Sequence, residues 1–194
     1  MPKRGVRDVV HTSYTDHRIQ RTNSAHVTKD PQLRPWRIPP RYQTRNFALA
    51  LFQWGAQTGD APSVQDAFRK LIDLAPADRD DPAVLSALGS IALLKGRPRE
   101  ASDWLRQAAR MESDNADAQL RLGRAEQANG NLDAAREQYE SAIRIDPFFF
   151  EAYVLSAQLE RSRGNQNAAR ELLRRYLQHV PQSLAARQAL TQGP

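Results

Sequence analysis

A single repeat period runs through most of the chain and limits its fold more than any other feature. Gly55, Gly89 and Gly123 are separated by equal steps of 34 in sequence number, and the next step falls on Ala157. Ala67, Ala101, Ala135 and Ala169 keep the same spacing, as do Leu71, Leu105, Tyr139 and Leu173. So do Ala108 with Ala142, Pro147 with Pro181, and the series Gly96, Gly130, Gly164. Repeats of this length are units that cannot bury their apolar face alone, so several must stack. Between these landmarks the chain is rich in Ala, Leu, Gln, Arg and Glu, good helix formers, and lacks the β-branched runs of a sheet. The body from Asn46 to Pro194 therefore reads as all-α.

Each landmark has a physical role. Small residues on a first helix (Gly55, Gly89, Gly123, Ala157) and on a second (Ala67, Ala101, Ala135, Ala169) let two antiparallel helices approach closely while larger side chains fill the space around them. Gly96, Gly130 and Gly164 supply a permissive backbone for the turn inside each unit, and Asp146-Pro147 ends one helix and prepares the next. The carboxylates of Asp80-Asp81 and of Asp114-Asn115-Ala116-Asp117 fall at unit boundaries, where Asp and Asn cap helix N-termini. Phe148-Phe149-Phe150 spans a boundary, where one or two rings pack between units and the remainder forms a small exposed contact.

Residues 116–149, ADAQLRLGRAEQANGNLDAAREQYESAIRIDPFF, resemble the tetratricopeptide repeat, with Leu122-Gly123, Gly130, Ala135, Tyr139, Ala142 and Pro147 at family positions. The unit of that family is a helix-turn-helix of about 34 residues. Residues 82–115 and 150–183 resemble it nearly as well. Residues 48–81 are a degenerate copy, with an early Pro76-Ala77-Asp78 turn and Leu74 in place of a small residue. The resemblance implies a right-handed α-solenoid of three clear repeats and one degenerate one, closed by a capping helix over Ser183 to Leu190 and preceded by an irregular arm. It also implies a concave groove lined by the first helix of each repeat. The groove positions are Ser86, Ser90 and Leu93, then Leu120, Arg124 and Gln127, then Val154, Gln158 and Arg161. Such a groove suits a protein or peptide partner, and the two arginines suit its acidic or carbonyl groups.

The net charge of +6 is not a property of this body. Residues 1–45 hold ten Lys or Arg against three Asp, whereas 46–194 hold 18 against 19, so the excess belongs to the leader. Residues 1–21 form a basic leader, and 22–45, with Pro31, Pro35, Pro39 and Pro40, an extended linker. Arg34, Arg37, Arg41 and Arg45 near Trp36 and Tyr42 could contact nucleic acid, but no folded nucleic-acid module accompanies them, which argues against it.

The leader MPKRGVRDVVHTSYTDHRIQR resembles the segment after a C-x-x-C-H motif in bacterial multihaem cytochromes c joined to tetratricopeptide repeats. That resemblance implies His11 or His17 as a distal haem ligand in an extended, exported or periplasmic electron-transfer protein. With no cysteine, this chain itself can attach no haem c and is expected to hold no cofactor. As written it lacks a signal peptide and an apolar span, so it reads as soluble and cytoplasmic. His11, His17 and His26 lie in the leader with no rigid frame to gather them as metal ligands, and His179 reads as a surface residue. G-x-S-x-G, H-E-x-x-H and Gly-rich phosphate loops are all missing, which leaves a binding scaffold with no catalytic role and no small-molecule substrate.

Overall fold

The computed structural model describes residues 40–74 and 81–191. Nine helices form among the described residues: α1 (Pro40–Thr58), α2 (Ala61–Leu74), α3 (Pro82–Leu94), α4 (Pro98–Met111), α5 (Ala116–Ala128), α6 (Leu132–Ile145), α7 (Phe150–Ser162), α8 (Gln166–His179) and α9 (Leu184–Thr191). They pack as consecutive antiparallel pairs, α1 with α2, α3 with α4, α5 with α6 and α7 with α8, and α9 closes the last pair. This is the expected α-solenoid with a terminal capping helix. None of these helices is long and apolar enough to cross a membrane.

Local sequence chemistry sets the boundaries. Asp81 caps α3, accepting from the N–H groups of Ala83 at 3.0 Å and Val84 at 3.2 Å, and Pro82 follows where its missing N–H costs nothing. Asn115 caps α5 in the same way, with Asp117 and Ala118 as donors. Gly96, Gly130 and Gly164 adopt φ of 68°, 81° and 82°, the left-handed conformation needed to turn one helix onto the next.

The small-residue series form the seams of the core. Ala67, Ala101, Ala135 and Ala169 are fully buried, and so are Leu71, Leu105 and Tyr139 in the series beside them. Helix α3 buries Val84, Leu85, Ala87, Leu88 and Ile91, side chains on nearly every face, because α1, α2, α4 and α5 all pack against it. Burying each of the larger of these contributes about 1.5–3 kcal/mol. The triple phenylalanine divides its labour as expected: Phe149 and Phe150 pack against the core, with Phe150 4.9 Å from Tyr176, while exposed Phe148 meets the edge of His179 at 5.8 Å.

The first repeat departs from the sequence reading in two ways. Helix α1 spans Pro40–Thr58 and so overlaps the expected linker of 22–45 from the first described residue on, and Arg45 within it reaches Asp81 at the head of α3. Its inner turn is made by Gly59, φ 73°, three residues ahead of the frame set by Gly96, so α2 also starts three residues early. The leader 1–21, the remainder of the linker, His11, His17, and the Pro76-Ala77-Asp78 turn lie outside the described residues.

Candidate functional site

The first helices of three successive pairs, α1, α3 and α5, together border a cleft of about 580 Å³. Leu49, Phe52, Ala56, Ala83 and Ala87 give it an apolar floor, and Gln53, Gln57, Ser86 and Arg121 give it hydrogen-bonding walls. Its charged lining is two carboxylates, Glu112 and Asp117, against one guanidinium, Arg121. Arg121 is held in place: its Nε donates to Asp117 and its Nη1 to the Ser90 hydroxyl at 3.0 Å, which in turn donates to the Ser86 carbonyl at 2.8 Å. The Glu112 carboxylate accepts from Asn115 at 2.7 Å.

Of the nine positions expected to line the groove, Ser86 borders this cleft and Ser90 buttresses its Arg121 wall. The other seven serve elsewhere or stand apart from it. Leu120 is only 1% exposed and belongs to the core around Tyr139, and it is the adjacent Arg121 that lines the cleft. Leu93 packs against the cluster of Ala92, Ala101 and Leu105. Gln127 accepts the Tyr139 hydroxyl at 2.7 Å. Arg124 forms an ion pair with Glu151 of the next repeat at 2.9 Å, and Arg161 donates to the Ala189 carbonyl of α9 at 2.8 Å. Both arginines thus spend donors on the solenoid itself. Val154 is half-buried and Gln158 exposed, and neither lines the cleft.

The α1 side of the cleft was missing from the sequence reading, yet the signal was present. One repeat step of 34 back from Ser86 and Ser90 gives Phe52 and Ala56, two of its lining residues. The degenerate first repeat obscured a frame that its first helix still keeps.

The tetratricopeptide-repeat profile matches residues 86–148 and again 120–183, together just over half of the chain. The chain belongs to the tetratricopeptide-repeat family. No curated protein matches it. Among solved structures, this tetratricopeptide-repeat chain is similar to a crystal structure of the MamA protein, with 25% identity over 74% of this chain and 81% of that one and a TM-score of 0.59. It is also similar to MamA from Desulfovibrio magneticus RS-1, at 16% identity over 72% and 79% and a TM-score of 0.60. A third neighbour is the first repeat domain of Spaghetti (RPAP3) bound to the HSP90 peptide SRMEEVD, at 20% identity over 61% and 94% and a TM-score of 0.53. The last two likenesses concern the fold alone.

Proposed function

We propose that this chain is a protein-interaction scaffold whose α1–α3–α5 cleft holds an extended segment of a partner protein. The observation that carries the reading is the cleft itself, an apolar floor rimmed by amides, a hydroxyl and a braced guanidinium along three parallel first helices. An extended peptide exposes backbone N–H and C=O groups along its length, and Gln53, Gln57 and Arg121 are spaced along two helices to meet them. The floor of Leu49 and Phe52 suits an apolar anchor side chain. Because the charged lining runs to carboxylates, the segment is neutral or basic rather than acidic, the opposite of what Arg124 and Arg161 suggest when read from sequence. The Spaghetti neighbour, with its bound HSP90 peptide, is a precedent for peptide capture by this kind of fold.

Selection from a displayed random peptide library tests the reading. Peptides enriched on the full chain are expected to carry an apolar residue beside Lys or Arg, and to lose at least tenfold in affinity on Phe52→Glu. Retained binding in Phe52→Glu, whose half-buried ring lies on the cleft floor, would move the site to another surface.

A further inference from the structure

One face of α1 repeats, in register, a surface that is covered everywhere else in the solenoid. Steps of 34 from Trp54 lead to Leu88, Leu122 and Ser156, which are 0%, 5% and 2% exposed, while Trp54 itself is 61% exposed. From Leu51 they lead to Leu85, Gln119 and Tyr153, all buried, and from exposed Thr58 to Ala92, Glu126 and Glu160, again all buried. In the interior the cover is the second helix of the preceding pair: α2 lies on α3, α4 on α5 and α6 on α7. Among the described residues α1 has no such helix before it. Phe47, 57% exposed, extends the same stripe by two turns. The surface is therefore a helix-stacking interface by descent of register, and among the described residues no helix covers its first copy.

We propose that its occupant is the same face of a second copy of this chain, with α1 packed antiparallel on α1 about a two-fold axis between Ala50 and Leu51. The distribution of bulk is self-matching. Phe47 and Trp54 lie equally far on either side of that axis, so each Phe47 meets the partner's Trp54, while small, exposed Ala50 at the centre lets the two helices come to the usual separation of about 8–10 Å. Electrostatics permit it: α1 carries no charged residue from Asn46 to Gly59, the Lys70 ammonium of α2 lies 5.8 Å from the Phe47 ring at the outer end of the stripe, and antiparallel packing sets each helix's positive N-terminal end beside the other's negative C-terminal end. A single helix pair with a tryptophan on either side of its axis is a small interface, which gives a dimer that dissociates on dilution.

Sedimentation equilibrium of the full chain from about 1 to 200 μM tests this. The expected result is a monomer–dimer equilibrium that Trp54→Asp shifts at least tenfold toward monomer, with unchanged helical circular dichroism because the indole is exposed. The absence of native cysteine makes a second measurement unambiguous: Ala50→Cys should form a disulfide-linked dimer under mild oxidation, and Ala50→Cys with Trp54→Asp should not. Arg136→Cys, on the exposed side of α6, serves as the uncrosslinked control. A monomer at the highest concentration overturns the proposal and leaves the face to a helix from another protein. A dimer that survives Trp54→Asp, or one that the thiol of Ala50→Cys fails to bridge, overturns it by placing the contact elsewhere.

Discussion

The Tyr139 ring occupies the space that a Cβ on Gly123 would need: such an atom would lie 2.5 Å from Cε1 and 2.7 Å from Cδ1 of the ring. Glycine is there for close approach, since the ring is fully buried and its hydroxyl is tied to Gln127. Gly123→Leu is expected to cost about 1–3 kcal/mol or more by overpacking. Arg136→Ala, on an exposed position of the neighbouring helix, should stay within about 0.5 kcal/mol. Thermal melts showing equal tolerance at both positions would mean the seam does not bear on stability.

The same tyrosine sets an alkaline limit. Burial pushes the Tyr139 phenol up to about 12, against the ordinary 10.0, and the nearby Arg124 charge only partly opposes it. An acid whose folded-state pKa is raised keeps its full contribution below the unfolded value and loses it as pH climbs through the folded one. Stability should therefore fall between about pH 10 and pH 12, and Tyr139→Phe should flatten that decline while lowering neutral-pH stability by about 0.5–1.5 kcal/mol for the lost hydrogen bond. Urea melts across this range check it: an alkaline limb unchanged in Tyr139→Phe would assign the decline to other groups.

Asp81 governs the acid side at the other end of the molecule. Burial pushes its carboxyl up, but the hydrogen bond from Arg45, the N–H groups of Val84 and Ala83 and the Arg45 charge outweigh that and hold it below the usual carboxylate range. Its contribution is thus complete above the unfolded value near 3.8 and disappears as pH falls through the lower, folded one. Asp81→Ala should cost about 0.5–2 kcal/mol at neutral pH through the lost cap, and loosen the start of α3 against α1. Hydrogen exchange at Ala83 and Val84 should accelerate in the variant; protection equal to that of the parent would remove Asp81 from the cap.

The repeat period alone makes the pairing of helices, the seams at Ala67, Ala101, Ala135 and Ala169 and the turns at Gly96, Gly130 and Gly164 legible in the sequence. These features depend on contacts within one unit or between neighbours of fixed spacing, so a period encodes them. The groove was less legible because it depends on what each polar side chain does after the helices have stacked. Arg124 and Arg161 stand where the family frame puts groove residues, but Glu151 and the Ala189 carbonyl, both supplied from further along the chain, engage them. Leu120 and Arg121 are neighbours on one helix, and a rotation of about 100° decides which meets solvent. In the first repeat, Gly59 moved the turn and hid the equivalence of Phe52 with Ser86.

Arg161 is expected to act on the capping helix. Its guanidinium satisfies the Ala189 carbonyl in the last turn of α9, where helix carbonyls lack intrahelical donors. Arg161→Ala should cost about 0.5–1.5 kcal/mol and raise hydrogen exchange in α9 selectively, leaving peptide affinity in the α1–α3–α5 cleft unchanged. A loss of affinity with intact α9 protection would return Arg161 to the binding surface.

Ser156 offers the one substitution expected to strengthen the fold. It stands in the register of Leu88 and Leu122, is as buried as they are, and its hydroxyl oxygen has no hydrogen-bond partner among the described residues. A buried hydroxyl gives up its bonds to water, and without a replacement that desolvation counts against the folded state. Removing the oxygen alone leaves a space no larger than the hydroxyl, next to α6, so the cavity term is small beside the polar one. Alanine is also the better helix former by a few tenths of a kcal/mol. Ser156→Ala is therefore expected to gain about 1 kcal/mol in urea unfolding with an unchanged denaturant slope. Ser156→Leu, although it matches Leu88 and Leu122 of the two preceding repeats, should gain less or lose stability, because the packing around position 156 has closed on a small side chain. If Ser156→Ala unfolds more easily than the parent, the hydroxyl has a partner in solution and the interface between α6 and α7 is wetter than its burial indicates.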